Sequence, residues 1–104
     1  MKDIILIGGG GHCKSVIDVI EKEGQFKIAG IVDKPEFLGS DVLGYSVIGN
    51  DSDLANLANK YQYALITVGQ IKSPLLRMRL FELAEKSGFI LPSIISPRAY
   101  VSKH

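Results

Sequence analysis

A run of four glycines separates two hydrophobic patterns near the start of the chain. Residues 4–7 are consecutive aliphatic residues, and residues 8–11 are all glycine. After the glycines, Val16, Ile17 and Ile20 recur at helical spacing. A short, uninterrupted apolar run is typical of a strand that is buried on both faces of a parallel sheet. The pattern therefore predicts a buried strand, a tight glycine turn and an amphipathic helix, in that order.

The rest of the chain continues to alternate strand and helix patterns. Further strands are predicted over residues 26–32, 45–48, 63–68 and 89–91, and further helices from about residue 54 and from Ser73-Pro74. Gly24 and Gly88 end the first and the last helix, and residues 34–44 are predicted to form a loop. Right-handed crossovers place helices on both faces of such a sheet. We therefore predict an α/β fold, a three-layer Rossmann-like domain with a mostly parallel sheet.

Composition limits the classes of partner. The 104 residues are enough for one domain, and 12 basic residues against 11 acidic ones give a net charge of +1. This near-zero charge argues against electrostatic binding to nucleic acid or to a membrane surface. The single cysteine excludes an internal disulfide, and no spacing predicts a metal site. The first apolar run is too short for a signal peptide or a membrane span, so we expect a cytoplasmic protein.

The glycine turn has the sequence context of a nucleotide site. Gly8, Gly10 and Cys13 match the pattern G-x-G-x-x-small between a predicted strand and a predicted helix. Asp33 follows the second strand, where an acid commonly accepts hydrogen bonds from ribose hydroxyls. Gly69 follows the third long strand and would line the same crevice. The alternative is a turn that only joins strand to helix, and the context favours a nucleotide ligand.

The other polar residues near the turn carry weaker signals. His12 lies at the expected phosphate position, whereas Lys14 is more consistent with a solvated helix end. Cys13 is either a low-pKa thiol or a small packing residue, and we favour packing. Asp51 and Asp53 fit helix-capping positions better than a metal pair. No arrangement of residues predicts a catalytic group in this chain.

Residues 4–18, IILIGGGGHCKSVID, resemble the start of the sialic acid O-acetyltransferase family (NeuD-type). The relatives of that family include PglD-type N-acetyltransferases, which modify UDP-linked amino sugars. Residues 30–34, residues 44–51, and residues 66–69 followed by Arg77 also resemble the family pattern. The resemblance covers nearly the whole chain. Cys13 departs from it, since alanine or glycine is usual there.

The resemblance implies that this chain is one part of a longer enzyme. Family members have a second half, a left-handed β-helix of hexapeptide repeats, which forms trimers, binds acetyl-CoA and carries the catalytic histidine. Residues 1–92 are then the Rossmann-like nucleotide-sugar-binding domain. Residues 93–104 are the linker and the start of a truncated β-helix. The domain itself is expected to bind no cofactor, and the parent enzyme is expected to be a homotrimer that uses acetyl-CoA.

The implied function is to hold a nucleotide-activated or sialic-acid-like sugar for acetyl transfer in surface-glycan biosynthesis. The substrate-binding residues that match the family pattern are Gly8, Gly10, Gly11 and His12 at the phosphates, Asp33 with adjacent Lys34 at the ribose or base, and Gly69 at the closing side of the crevice. An NAD(P)-binding half-domain of an oxidoreductase stays open as an alternative. The same glycine turn and the same acid would serve NAD.

Overall fold

The computed structural model describes residues 2–8, 11–67 and 74–92, and only the backbone of residues 11, 12 and 74. The described residues form five strands and three α-helices. They are β1 (Lys2–Ile7), α1 (Gly11–Glu23), β2 (Phe26–Val32), β3 (Asp41–Val42), β4 (Tyr45–Gly49), α2 (Leu54–Lys60), β5 (Tyr63–Ile66) and α3 (Pro74–Ser87). Short 3₁₀ turns at Pro35–Phe37 and Asp51–Asp53 follow β2 and β4.

The five strands form one sheet in the order β3-β4-β2-β1-β5. Strands β4, β2, β1 and β5 are parallel, and β3 pairs antiparallel with β4 at one edge. The predicted α/β fold with a mostly parallel sheet is therefore confirmed. In the sheet, β1 lies between β2 and β5. The chain passes from β1 to β2 on one side and later places β5 on the other side. The strand order thus reverses at β1, where ligands of open parallel sheets bind.

The aliphatic run of β1 supplies both hydrophobic cores. Ile4 and Leu6 pack in a cluster on the α1 face, which includes Ile17. Ile5 and Ile7 pack in a second cluster on the face covered by α2 and α3. The four aliphatic side chains of β1 are each at most 1% exposed, because helices cover both sides of the strand. The prediction that this strand is buried on both faces is confirmed.

Several element boundaries differ from the sequence prediction. The predicted strand at residues 89–91 is reduced to one bridge between Ile90 and Tyr63. The predicted loop at residues 34–44 contains β3, which is too short to show an alternating pattern. The predicted helix ends are confirmed, since Gly24 and Gly88 have positive φ angles of 74° and 111°. Residues 93–104, predicted to be the linker and the start of a further domain, lie outside the described residues.

The β3–β4 hairpin contains a turn residue that is poorly suited to its backbone. Val42 pairs with Tyr45, so Leu43 and Gly44 form a two-residue turn with φ angles of +52° and +90°. Turns with two positive φ angles favour asparagine followed by glycine. The Leu43 side chain is 58% exposed, so its loss removes little packing.

We expect Leu43→Asn to raise the free energy of unfolding by about 1 kcal/mol, because asparagine tolerates the left-handed region better than leucine. Urea unfolding monitored by circular dichroism measures the change. The matched control is Leu38→Asn, which makes the same replacement at an exposed residue with a φ of −57°. An equal gain in both variants would show that the removal of exposed leucine, not the turn backbone, is responsible.

Candidate functional site

A cavity of about 300 Å³ opens at the carboxyl edge of the sheet. Strand register explains why the chain segments around it meet. Val32 of β2 pairs with both Ile7 of β1 and Gly49 of β4, and Ile7 also pairs with Ile66 of β5. The residue that directly follows each of these four strands therefore lies at the same height along the carboxyl edge of the sheet. These four residues are Gly8, Asp33, Asn50 and Thr67.

The inner wall of the cavity is apolar. It is formed by Ile7 and Val32 at the strand ends and by Leu76 and Leu80 on the first turns of α3. Ile7, Val32 and Leu80 are buried, whereas Leu76 is 46% exposed. An apolar wall of this kind suits the face of a planar ring, with the polar groups of the rim fixing its orientation.

Asp33 and Lys34 form one side of the polar rim. The backbone N–H of Asp33 donates to the Gly49 carbonyl at 3.0 Å, which ties the chain after β2 to the end of β4. The backbone N–H of Lys34 donates to Asp33 Oδ1 at 2.8 Å. Asp33 is half-buried and Lys34 is exposed. The structure therefore places both of these predicted site residues at the cavity.

The opposite side of the rim is the turn after β4, where Asn50, Asp51 and Ser52 line the cavity. Asn50 Oδ1 accepts from the Ser52 backbone N–H, and Asp53 Oδ2 accepts from the Asn50 backbone N–H, both at 2.8 Å. This reciprocal pair of bonds is a capping box, so the capping interpretation of Asp53 is confirmed. Sequence reasoning did not place Asn50, Asp51 or Ser52 at the site. The available signal was their position directly after a parallel strand.

Gly8 lies at the cavity and turns the chain away from the sheet. Its φ of +112° is a backbone conformation that side chains disfavour, which explains the need for glycine. Its N–H donates to the Val32 carbonyl at 2.7 Å, so the turn begins as a continuation of the β1–β2 pairing. Helix α1 starts three residues later, at Gly11. A helix start at this edge carries partial positive charge that favours an anion.

The structure describes only some of the predicted glycine-loop contacts. Gly11 and His12 form the first backbone positions of α1, and their side-chain environment is not described. Gly10 and Gly69 lie outside the described residues. Their predicted contacts with phosphate, and the predicted contact of the His12 imidazole, stay predictions. Gly8, Asp33 and Lys34 are the predicted site residues that the structure brings together.

Cys13 is a packing residue on the first turn of α1. Its side chain is fully buried in the core of the α1 face. Burial raises the pKa of the Cys13 thiol, the Thr67 hydroxyl partly offsets that effect, and the negative charge of Asp33 adds to it. The alternative of a low-pKa thiol is therefore wrong, and the packing interpretation is confirmed.

The described residues contain neither a cluster of metal ligands nor a membrane-spanning helix. Within residues 2–8, 11–67 and 74–92, no three His, Cys, Asp or Glu residues are grouped closely enough to hold a metal ion. No helix in the same ranges combines the length and the hydropathy needed to cross a bilayer.

Comparison with known protein families shows a match over most of the chain. The family model described as the PglD N-terminal domain matches residues 3–83. This range includes β1 from Asp3 onward, the elements from α1 to β5, and most of α3. A comparison with curated proteins found no match.

Two solved acetyltransferase structures are similar to the chain over most of its length. A variant of perosamine N-acetyltransferase from Caulobacter crescentus, in complex with CoA and GDP-perosamine, is 33% identical over 93% of this chain, with a TM-score of 0.80. The acetyltransferase domain of PglB from Neisseria gonorrhoeae, in complex with acetyl coenzyme A, is 29% identical over 92% of this chain, with a TM-score of 0.73. This chain spans 44% of the length of each of these relatives.

More distant structures share the fold alone. A Rex-family repressor, RSP, is 15% identical over 95% of this chain and 50% of its own, with a TM-score of 0.68. UDP-D-quinovosamine 4-dehydrogenase from Vibrio fischeri is 15% identical over 99% of this chain and 86% of its own, with a TM-score of 0.62. At this identity, the likeness indicates a common architecture and does not identify a ligand.

Proposed function

Since the chain belongs to the PglD N-terminal domain family, we propose that it holds the nucleotide-sugar substrate of an acetyl-CoA-dependent sugar acetyltransferase. The relatives with solved structures include a perosamine N-acetyltransferase in complex with CoA and GDP-perosamine. The proposed reaction of the parent enzyme transfers an acetyl group from acetyl-CoA to a hydroxyl or an amine of the sugar. This chain contributes substrate binding, and no catalytic residue is assigned to it.

The observation that carries the proposal is the cavity at the carboxyl edge of β1, β2 and β4. Its apolar wall fits the ring system of a nucleoside, and Asp33 at its rim provides carboxylate oxygens for ribose hydroxyls. Gly8 at the same cavity leads into the glycine turn and the start of α1, where backbone amides favour phosphate. The proposed nucleoside contacts and the proposed phosphate contacts are therefore neighbours at one edge of the sheet, as a nucleotide sugar requires.

Each side of the rim has a separate role in this proposal. Asp33 accepts hydrogen bonds from the ribose, and Lys34 beside it offers a positive charge to the diphosphate. Asn50, Asp51 and Ser52 face the nucleoside from the turn after β4 and supply polar contacts that select the base. Gly10, Gly11 and His12 bind the phosphates, and Gly69 closes the crevice.

The finer features of the parent enzyme follow the resemblance of the sequence. We propose that a hexapeptide-repeat β-helix forms the rest of the parent chain, binds acetyl-CoA and makes the enzyme a homotrimer. We also propose a cytoplasmic location and a role in surface-glycan biosynthesis, with neither nucleic acid nor membrane as a partner. The acceptor sugar is nucleotide-activated or resembles sialic acid.

Isothermal titration calorimetry of this chain with GDP-, UDP- and CMP-sugars tests the binding role, and NADH is titrated in parallel. We expect one class of nucleotide sugar to bind and NADH not to bind. A failure of every nucleotide sugar to bind at millimolar concentration would refute the proposal. Binding of NADH alone would favour the half-domain of an oxidoreductase instead.

A further inference from the structure

We propose that Asp51 is a specificity-determining residue that selects guanine as the base of the nucleotide sugar. The inference rests on the proposed nucleotide-sugar function and names the base that the same cavity takes. Asp51 lies in the turn after β4, which lines the cavity on the side opposite Asp33 and Lys34. Its carboxylate accepts two hydrogen bonds from one edge of the base.

The turn that carries Asp51 is held in place by its own hydrogen bonds. The Asp53 backbone N–H donates to the Asn50 carbonyl at 2.9 Å, and the two bonds of the capping box close the same turn. The Gly49 carbonyl accepts the Asp33 backbone N–H at 3.0 Å, which fixes the start of the turn to the chain after β2. A rim that is already ordered binds a ligand without the cost of ordering it.

Two side chains of this turn have hydrogen-bonding capacity left for a ligand. Asn50 Oδ1 accepts the Ser52 backbone N–H at 2.8 Å, so the amide Nδ2 of Asn50 is left as a donor. Asp51 is exposed at the cavity, and no hydrogen bond or ion pair joins its carboxylate to another residue in the part of the chain that the structure describes. The turn therefore offers an amide donor next to an acceptor with two oxygens.

Guanine is the base that matches this pair of groups. Its O6 accepts a hydrogen bond, and its N1–H and N2 amino group are two adjacent donors that a carboxylate can bind together. The Asn50 amide can then donate to O6. Uracil has a single N3–H between two carbonyl oxygens, so the second oxygen of the Asp51 carboxylate would face an acceptor. Cytosine and adenine each place an amino group beside a ring nitrogen that accepts.

The charge of Asp51 gives a second reason for selectivity. A nucleoside diphosphate is an anion, so a carboxylate at the rim repels it when no donor of the base pairs with that carboxylate. Pairing with two donors of guanine more than offsets this repulsion, because hydrogen bonds to a charged group are stronger than neutral ones. Asp51 therefore favours guanine nucleotides and disfavours the others, and its replacement has effects of opposite sign on the two groups of ligands.

The test measures binding of GDP, UDP and CDP to this chain and to Asp51→Asn by titration calorimetry. We expect the wild-type chain to bind GDP most tightly. Asp51→Asn keeps the side-chain shape and should weaken GDP binding about ten- to a hundredfold, the usual effect of losing hydrogen bonds to a charged group. Binding of UDP and CDP should stay unchanged or become up to about fivefold tighter, since one exposed negative charge is removed.

Inosine diphosphate tests the predicted contact atom by atom. It keeps O6 and N1–H but lacks the 2-amino group of guanine, so the wild-type chain should bind it about tenfold more weakly than GDP. In Asp51→Asn the two ligands should bind almost equally, because the carboxylate that contacts the amino group is gone. Equal wild-type affinities for GDP and inosine diphosphate would overturn the inference, and this outcome does not depend on any variant.

Glu36→Gln is the matched control. Glu36 is an exposed acid next to Pro35 on the other side of the rim, so the variant loses the same charge without changing a residue that lines the cavity. It should keep the wild-type preference for GDP. A wild-type preference for UDP or CDP, or an equal loss of GDP and UDP affinity in Asp51→Asn, would overturn the inference and leave the proposed function standing. A wild-type chain that binds no nucleotide would refute the proposed function itself.

Discussion

Replacing Asp33 by asparagine is expected to weaken nucleotide-sugar binding roughly ten- to a hundredfold. A hydrogen bond to an ionised carboxylate contributes about 1.5–3 kcal/mol, and every 1.4 kcal/mol corresponds to about a tenfold change in affinity. Asparagine keeps an Oδ1 acceptor for the Lys34 backbone N–H, which Asp33 Oδ1 binds at 2.8 Å. The turn after β2 is therefore preserved, and the change removes the charge that the ribose hydroxyls would contact.

The control for this experiment is Asp41→Asn. Asp41 lies on β3, at the edge of the sheet, and its Oδ1 accepts a bond from the Ser46 hydroxyl at 3.1 Å. Both variants therefore lose one negative charge from a carboxylate that makes a local hydrogen bond. Titration calorimetry of the two variants separates a direct contact from a change in overall charge. Similar affinities for both variants would argue against a ribose contact at Asp33.

A deoxyribose form of the ligand sharpens the same test. If Asp33 binds a ribose hydroxyl, removing that hydroxyl and replacing the carboxylate eliminate the same interaction. The two losses are then not additive in a double-mutant cycle. Fully additive losses would mean that Asp33 acts on the ligand in some other way, for example through its neighbour Lys34.

The sequence predicted the part of the site that depends on local patterns. The aliphatic run of β1, the glycine turn and the start of α1 follow one another, so their arrangement can be deduced from hydrophobic periodicity. Gly8 and Asp33 could be predicted to meet because parallel strands place their carboxyl ends at one edge. The structure confirms this, since Ile7 pairs with Val32 immediately before these two residues.

The rest of the site depends on strand order and register, which local patterns do not determine. Asn50 and Asp51 have the sequence of a helix cap whichever strand lies beside them. They reach the cavity because β4 is the neighbour of β2. Leu76 and Leu80 show only an apolar helical face, and the docking of α3 brings them to the cavity wall. Thr67 had no sequence signal, because a threonine after a strand is common. Its hydroxyl contacts the Gly8 carbonyl only because β5 pairs with β1.

The fold does not decide between the two ligand classes that the sequence left open. Dinucleotides and nucleotide sugars both need a glycine turn for phosphate and an acid for ribose. The Rex-family repressor and the Vibrio fischeri dehydrogenase share the architecture at 15% identity. Specificity must therefore come from groups outside the shared motif. Among the described residues, polar groups that line the cavity outside the glycine motif include Asn50, Asp51 and Ser52.

The largest expected effect on stability is that of Leu54→Ala. Helix α2 has seven residues, too few to be stable alone, so its position depends on tertiary packing. Leu54 is its buried residue, 1% exposed, in the core cluster that includes Ile5 and Leu80. Removing a buried leucine side chain beyond Cβ typically costs about 2–5 kcal/mol, through lost transfer energy and the cavity left behind. We expect a loss in this range, measured by urea unfolding.

The same substitution links the core to the site, because Leu54 directly follows the capping turn that carries Asn50 and Ser52 to the cavity. A loosened α2 increases the motion of that turn, so ligand affinity falls even at temperatures where Leu54→Ala remains folded. The control is Leu75→Ala on α3, where the side chain is 72% exposed and the expected change is within about 0.5 kcal/mol. Equal destabilisation by the two variants would mean that α2 is not held through Leu54. Unchanged affinity in folded Leu54→Ala would mean that the turn after β4 keeps its shape without the helix behind it.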